Sequence, residues 1–151
     1  MAEALLLTED LKEAILHRES EPVSITVERG AIRRFAEAIG DDNPLWTDEA
    51  YARRTRYGGI TAPPTFLRSI SRTILLVPEL EPLAHVLDGG SEWHYWKPIR
   101  PGDTITAVTQ FVNVSQRTLS IGPAVFLVAE VTYTNQSNQV VAKQRSTLIR
   151  Y

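Results

Sequence analysis

Residues 97–114, KPIRPGDTITAVTQFVNV, contain a turn that leads directly into a long run of β-branched residues. The run Thr104–Val114 predicts a strand, because β-branched side chains fit a pleated surface. Two further strands are predicted at Val125–Thr134 and Val140–Ile149, paired across a turn at 135–138. Three long sequential strands predict an antiparallel meander in the C-terminal half.

The N-terminal half instead has apolar residues at helical spacing and predicts several helices. Thr8 can cap a short first helix, and Gly40 ends a second helix that carries Ile32 and Phe35. The other predicted elements, in chain order, are a strand at Val23–Glu28, a short helix at Asp48–Arg54, a turn at Tyr57–Gly59 and, after the turn Asp88–Gly90, a strand at Glu92–Trp96.

A helix from Pro64 to Leu76 is predicted to be the most buried one, because its apolar residues leave little polar surface. Proline is tolerated in the first turn of a helix, and Pro78 follows its end. One buried helix packed against a meander predicts a two-layer α+β fold. With no repeat or linker visible, residues 1–151 are expected to form a single domain.

The composition excludes several classes of function. A formal charge of −2 gives no electrostatic footprint for nucleic acid, and the absence of cysteine excludes disulfide and thiolate chemistry. The N-terminus has no basic region, and no apolar run approaches the roughly 20 residues that span a bilayer. We therefore expect a cytoplasmic protein that does not bind membranes.

The stretch GDDNPLWTD, residues 40–48, has the appearance of a site. Asp41, Asp42 and Asn43 also have an ordinary role, since Asp and Asn favour tight turns and helix caps. Asp41, Asp42 and Asp48 are closely spaced carboxylates, but neither a nearby histidine nor a recognisable ligand spacing accompanies them. We expect no metal and no cofactor here.

The order of motifs resembles the MaoC-type hot-dog fold, in which an antiparallel sheet wraps around one long buried helix. The resemblance rests on GDDNP at 40–44, the Tyr57-Gly58 turn and KPIRPGD at 97–103, and it runs from about Val23 to the C-terminus. The segment APPTF at 62–66 is similar to the narrower branch of dehydratase domains named for fungal fatty-acid synthase. That branch includes subunits of heterodimeric (3R)-hydroxyacyl-carrier-protein dehydratases.

The resemblance implies a catalytic dyad of the first Asp of the turn and a His five residues later. Together these groups hold the water that adds to, or leaves, the β-carbon of an enoyl thioester. Here the positions hold Asp41 and Trp46. An indole N–H donates but cannot accept a proton, so Trp46 cannot act as the base. Asp41 is therefore a vestigial or partial catalytic residue.

The resemblance also implies a backbone N–H that stabilises the thioester enolate at the entrance of the buried helix. Alignment on Tyr57-Gly58 places Pro63-Pro64 at that entrance, and proline has no N–H. A register shifted by one residue would leave Thr65 as a possible donor. Both registers remain open.

Further candidates follow from these positions. Trp46 is either a core residue or a wall of the acyl tunnel, and His94 or His85 is a possible replacement base, although a lone strand histidine is more often structural. Arg53, Arg54 and Arg56 form either a solvated helix face or a docking patch for the phosphates of an acyl carrier. The residues expected to bind substrate are Asn43, Trp46, Tyr57, Gly59, Ala62, Pro64 and Thr65.

The leading hypothesis is a subunit of an (R)-specific enoyl-thioester hydratase or 3-hydroxyacyl-thioester dehydratase. It would bind the acyl chain of an acyl-CoA or acyl-carrier-protein thioester while a MaoC-type partner supplies the Asp/His dyad. Two alternatives stay open: a complete homodimeric enzyme that uses Asp41 with a different base, and a non-catalytic acyl-thioester-binding protein. Whether this chain alone is an enzyme is undecided by its sequence.

Overall fold

The computed structural model describes residues 7–70 and 75–151. Five antiparallel strands form one sheet in the order β1-β3-β4-β5-β2. The strands are β1 (Val23–Thr26), β2 (Val86–Tyr95), β3 (Thr104–Leu119), β4 (Gly122–Thr134) and β5 (Val140–Arg150). The helices are α1 (Glu9–Leu16), α2 (Arg29–Ala38) and α3 (Glu49–Arg53), with 3-10 turns at Pro44–Trp46, Pro64–Ser69 and Pro78–Leu80.

The predicted meander is confirmed, and β3, β4 and β5 pair in sequence order. Asn138 takes a positive φ of 57° in the turn between β4 and β5. The α+β class is confirmed as well. The capping of α1 is also as predicted, because the Thr8 side chain accepts a hydrogen bond from the Leu11 backbone N–H.

One face of the sheet is buried. Along β3, alternate residues from Ile105 to Phe111 are buried, as the two-residue period of a strand requires. At one end this face packs against α2 and the 3-10 turns that carry Trp46 and Phe66. At the other end it packs against α1 and the segment around Leu80. The end covered by α2 is where the candidate site lies.

The helix predicted at Pro64–Leu76 is wrong over its described part. The chain forms a 3-10 turn at Pro64–Ser69, and Ile70 already has an extended backbone. The Ser69 hydroxyl donates to the Phe66 carbonyl at 2.6 Å, a local bond that competes with a continuing helix. Residues 71–74 of the prediction lie outside the described residues. Phe66 is nevertheless buried, with its ring edge-on to Phe35 of α2 at 5.6 Å.

The strand predicted at Glu92–Trp96 begins earlier, at Val86. Asp88-Gly89-Gly90 was interpreted as a turn before the strand, but it lies within β2, where the register against β5 shifts. Gly90 has a φ of +105°, so the glycine serves a bulge inside the strand. β2 lies at the edge of the sheet and is mostly exposed.

A buried carboxylate ties β4 to β5 on the other face of the sheet. Glu130 accepts hydrogen bonds from Lys143 at 2.8 Å and from Arg145 at 2.7 Å, and its side chain is 5% exposed. The Lys143 hydrogen bond, with a further contribution from Arg145, holds the pKa of Glu130 below its ordinary value despite the opposing effect of burial. The carboxylate therefore stays charged to lower pH than a solvated one.

Candidate functional site

A cavity of about 360 Å³ lies at the end of the sheet covered by α2. Its size is within the range of roughly 300–1,000 Å³ that is usual for small-molecule sites. We call its buried lining residues the floor: Leu45, Trp46, Thr61, Ala62, Pro63 and Ile99. We call its more exposed lining residues the rim: Arg56, Tyr57, Pro64, Tyr95, Trp96, Lys97 and Pro98.

Two hydrogen bonds join the segments that form the cavity. The Ala62 N–H donates to the Ile99 carbonyl at 2.7 Å. The Arg100 guanidinium donates to the Tyr57 carbonyl at 2.6 Å, and the Arg100 N–H donates to the Asp103 carboxylate at 2.8 Å. The two turns quoted for the family resemblance, Tyr57-Gly58 and 97–103, are therefore held against each other. Their contact holds the two segments that line the cavity together.

Side-chain caps shape the stretch 40–48. The Asp41 carboxylate accepts from the Asn43 N–H, and the Asn43 side chain accepts from the Leu45 N–H, each at 3.0 Å. The Asp48 carboxylate accepts from the Tyr51 N–H at 3.0 Å and caps α3. Asp41 and Asn43 are not among the cavity-lining residues. In the structure these side chains stabilise turns and cap a helix, as their residue types favour.

Trp46 is a core residue that also lines the cavity, and its role as a wall of an acyl tunnel stays a prediction. Its side chain is 8% exposed, belongs to the core around Ile32 and Phe66, and lines the floor. The indole N–H is buried and has no hydrogen-bond partner within the described part of the chain. The indole offers no proton acceptor to the cavity.

The entrance to the 3-10 turn is formed by two residues that lack an N–H. Pro63 belongs to the floor and Pro64 to the rim. Thr65 is exposed and does not line the cavity, and the Phe66 N–H is already bonded to the Pro63 carbonyl. Neither Pro63 nor Pro64 can therefore donate a hydrogen bond to a thioester oxygen at this entrance, and the choice between the two registers stays a prediction.

The structure brings together only some of the residues predicted to bind substrate. Trp46, Tyr57, Ala62 and Pro64 line the cavity, whereas Asn43, Gly59 and Thr65 do not. Gly59 is buried beside Arg100, and an added Cβ would lie 3.7 Å from its guanidinium. The lining residues that sequence reasoning missed are Leu45, Thr61, Tyr95, Trp96, Lys97, Pro98 and Ile99. The motif at 97–103 was a signal for the last three of these.

Among the predicted arginines, only Arg56 lines the cavity. Its guanidinium donates to the Tyr57 hydroxyl at 2.8 Å, and this hydrogen bond raises the pKa of Arg56 above its ordinary value. Arg53 instead forms an ion pair with Glu49 at 3.1 Å, and Arg54 is exposed on α3. Lys97 adds a second cation to the rim.

Neither candidate replacement base reaches the cavity. The His94 ring lies 2.9 Å from the Glu92 carboxylate and stacks on Trp96. The His85 ring stacks on Tyr151, with which it also exchanges both backbone hydrogen bonds. Burial raises the pKa of the Tyr95 phenol, so this rim residue is a neutral donor at physiological pH rather than a base.

Residues 7–70 and 75–151 contain neither a cluster suited to a metal ion nor a helix suited to a membrane. No group of three or more His, Asp or Glu side chains there is arranged to hold a metal ion. No helix in the same ranges has the length and apolar character needed to cross a membrane.

Comparison with known proteins gives matches over most of the chain. Residues 14–144 match the family described as "FAS1-like, dehydratase domain region". The chain is 31% identical to the probable enoyl-CoA hydratase alpha subunit of Thermomonospora curvata, over 89% of this chain and 46% of that protein, so it spans about half of that relative. It is also 31% identical to a UPF0336 protein of Thermobifida fusca, over 86% of each.

Solved structures agree with the fold. The ChsH1-ChsH2 complex from Mycobacterium tuberculosis gives a TM-score of 0.81 at 21% identity, over 94% of this chain and 87% of that chain. The HadBC (3R-hydroxyacyl-ACP dehydratase) complex of the same organism gives 0.70 at 24%, over 89% and 96%. A MaoC-like dehydratase from Rhodospirillum rubrum gives 0.72 at 20%, over 89% and 90%. The predicted hot-dog fold is confirmed.

Proposed function

The chain belongs to the family of FAS1-like dehydratase domain regions, and from this premise we propose that it is the substrate-binding subunit of an (R)-specific enoyl-thioester hydratase or 3-hydroxyacyl-thioester dehydratase. Residues 1–151 act as one domain that holds the acyl thioester. A MaoC-type partner chain supplies the Asp/His dyad. The observation that carries this proposal is the buried Trp46 in the floor, at the position where the family resemblance expects the catalytic histidine.

The cavity is suited to holding a thioester. Its floor is mostly apolar and accommodates a hydrocarbon chain, while the Arg56 and Lys97 cations on the rim suit the phosphate of a phosphopantetheine arm. The proton transfers of hydration need a group that accepts a proton beside the β-carbon. Among residues 7–70 and 75–151, those that line the cavity include neither a carboxylate nor an imidazole. Binding without turnover is the chemistry these residues favour.

The relatives support a two-chain assembly. The Thermomonospora curvata relative is named an alpha subunit, and two of the similar structures are complexes. The exposed edge strand β2 supplies a surface for such a partner. In the described part of the chain its outer edge pairs with no strand, and it presents Val86 at 55% and Leu87 at 47% exposure. Unpaired edges with exposed apolar side chains favour association with another chain.

Hydration of crotonyl-CoA tests the catalytic part of the proposal. The chain alone should bind the thioester and leave its hydration at the uncatalysed rate, and mixing it with a MaoC-type chain with an intact Asp and His should give turnover. Turnover by this chain alone would instead support a complete homodimeric enzyme that uses Asp41 with another base. Tight binding without turnover in either condition would support a non-catalytic thioester-binding protein.

Substitution on β2 tests the assembly. Leu87→Lys should lower the fraction of dimer in sedimentation, because a charge on the edge opposes strand pairing. Ile121→Lys is the matched control: it is 61% exposed at the β3–β4 turn, and the same charge there should leave the assembly unchanged. Equal dimer fractions for both variants would place the partner elsewhere.

A further inference from the structure

Trp96 is a large aromatic residue that the fold leaves mostly in solvent. It follows the last residue of β2, and its backbone N–H donates to the Val141 carbonyl at 2.9 Å. Its side chain is 57% exposed and lines the rim of the cavity. The backbone of Trp96 is thus fixed by the sheet while its ring covers no core. An exposed tryptophan beside a cavity is a frequent feature of binding surfaces.

The His94 ring packs against the Trp96 indole. Glu92, His94 and Trp96 are spaced by two residues, so their side chains project from the same face of the chain. The Glu92 carboxylate holds the His94 ring at 2.9 Å, and the His94 ring stacks on the indole with 6.2 Å between centroids and 26° between planes. This arrangement gives His94 a structural role. It orients Trp96 rather than moving a proton.

The charged side chains that line the cavity, among the residues that the structure describes, are of one sign. These residues are Arg56 and Lys97, and both are cations. The Arg56 guanidinium is fixed by Tyr57, through the hydrogen bond to its hydroxyl and a position 5.0 Å from the ring centroid. Two cations on the rim, with no carboxylate beside them in the described lining, favour an anionic ligand.

We propose that the rim binds the nucleotide part of a coenzyme A thioester, with the purine stacked on Trp96 and the phosphates paired with Arg56 and Lys97. The inference rests on the proposed function and specifies its substrate class. The phosphopantetheine arm of a carrier protein has one phosphate and no nucleobase. It would therefore offer no aromatic ring to stack on the Trp96 indole. A purine presents the π-face that an exposed indole binds.

Two ligands that share the acyl thioester separate this inference from the proposed function. Crotonyl-CoA carries the nucleotide, and crotonyl-pantetheine lacks it. Affinities are measured by calorimetry on the chain in the assembly that binds crotonyl-CoA. Crotonyl-CoA should bind at least tenfold more tightly. Trp96→Ala should weaken crotonyl-CoA about fivefold to 150-fold, the range for removing a ring stacked on a base, and change crotonyl-pantetheine less than twofold.

Two variants act as controls. Trp96→Phe keeps a stacking face and should recover most of the lost affinity, and Ile121→Ala removes an equally exposed apolar side chain far from the cavity and should have no effect. Equal affinity of the wild-type protein for both ligands would overturn the nucleotide site and leave the proposed function standing. Loss of the dimer in Trp96→Ala would overturn it too, by identifying the ring as a partner contact. Failure of both ligands to bind would overturn the proposed function itself.

Discussion

Replacing Trp46 with histidine should give a base at the family's catalytic position without giving a good catalyst. A positioned general base contributes roughly 10²–10⁴ in rate. The oxyanion donor would still be missing, because Pro63 and Pro64 have no N–H, and one such donor is worth about 10²–10³. We therefore expect Trp46→His to hydrate crotonyl-CoA at no more than about one hundredth of the rate of an intact MaoC-type hydratase.

The same substitution has a cost in stability. Trp46 is 8% exposed and packs in the core with Ile32 and Phe66. Removing a buried tryptophan side chain costs about 3–5 kcal/mol, and an imidazole refills part of that volume, so we expect a loss of about 2–4 kcal/mol. Urea denaturation measures this loss. It also establishes the conditions in which the variant is folded before its activity is compared.

The rate is followed as the loss of ultraviolet absorbance of the conjugated enoyl thioester. Trp46→His combined with Pro64→Gly restores an N–H at the position that the alignment assigns to the donor, and its rate should exceed that of Trp46→His alone by about tenfold or more. Trp46→His combined with Pro63→Gly is the matched control and should gain less. Full family rates from Trp46→His alone would refute the conclusion that two separate groups are missing.

Three further outcomes are expected. Trp46→Phe should change the free energy of unfolding by less than about 1 kcal/mol in urea denaturation, since loss of an unpaired buried donor offsets the lost ring contact; a loss as large as that of Trp46→Ala would contradict this. Because the folded-state pKa of Glu130 is lowered, its contribution is complete above the ordinary glutamate pKa and disappears as pH falls through the folded value. Glu130→Gln should therefore cost about 1–2 kcal/mol at pH 7 and little at acid pH, whereas Glu37→Gln, an exposed control, should show no such difference. Arg100→Lys should lose about 1–3 kcal/mol by the same assay and weaken thioester binding, because a lysine lacks the planar fork that holds the Tyr57 carbonyl; unchanged affinity would show that the contact between the two turns is not needed.

The strands and caps could be predicted because they depend on local rules. Alternation along β3 and the Thr8 cap are properties of neighbouring residues, and they appear in the structure as expected. The glycines of β2 misled the prediction because a turn and a bulge use the same backbone conformations. The segment after Pro64 also differed, since the bond from Ser69 to Phe66 competes with the helix that apolar spacing suggested.

Some residues of the quoted motifs line the cavity, and others that line it lie outside them. Trp46, Tyr57 and Ala62 lie in quoted motifs and line the cavity. Tyr95 and Trp96 come to the same cavity through the pairing of β2 with β5, a contact between distant segments that no local pattern reveals. The ion pair of Arg53 with Glu49 likewise forms only in the folded helix α3. Arg53 therefore pairs within its helix, whereas Arg56 lines the cavity.

The most direct measurement is a pair of titrations on the purified wild-type chain, in which crotonyl-CoA binding and crotonyl-CoA hydration are followed in the same solution. We expect saturable binding with hydration at the buffer rate, and turnover that begins when a MaoC-type chain with both dyad residues is added. Saturating hydration kinetics from the wild-type chain by itself, abolished by Asp41→Asn, would contradict the proposal that a partner supplies the catalytic dyad.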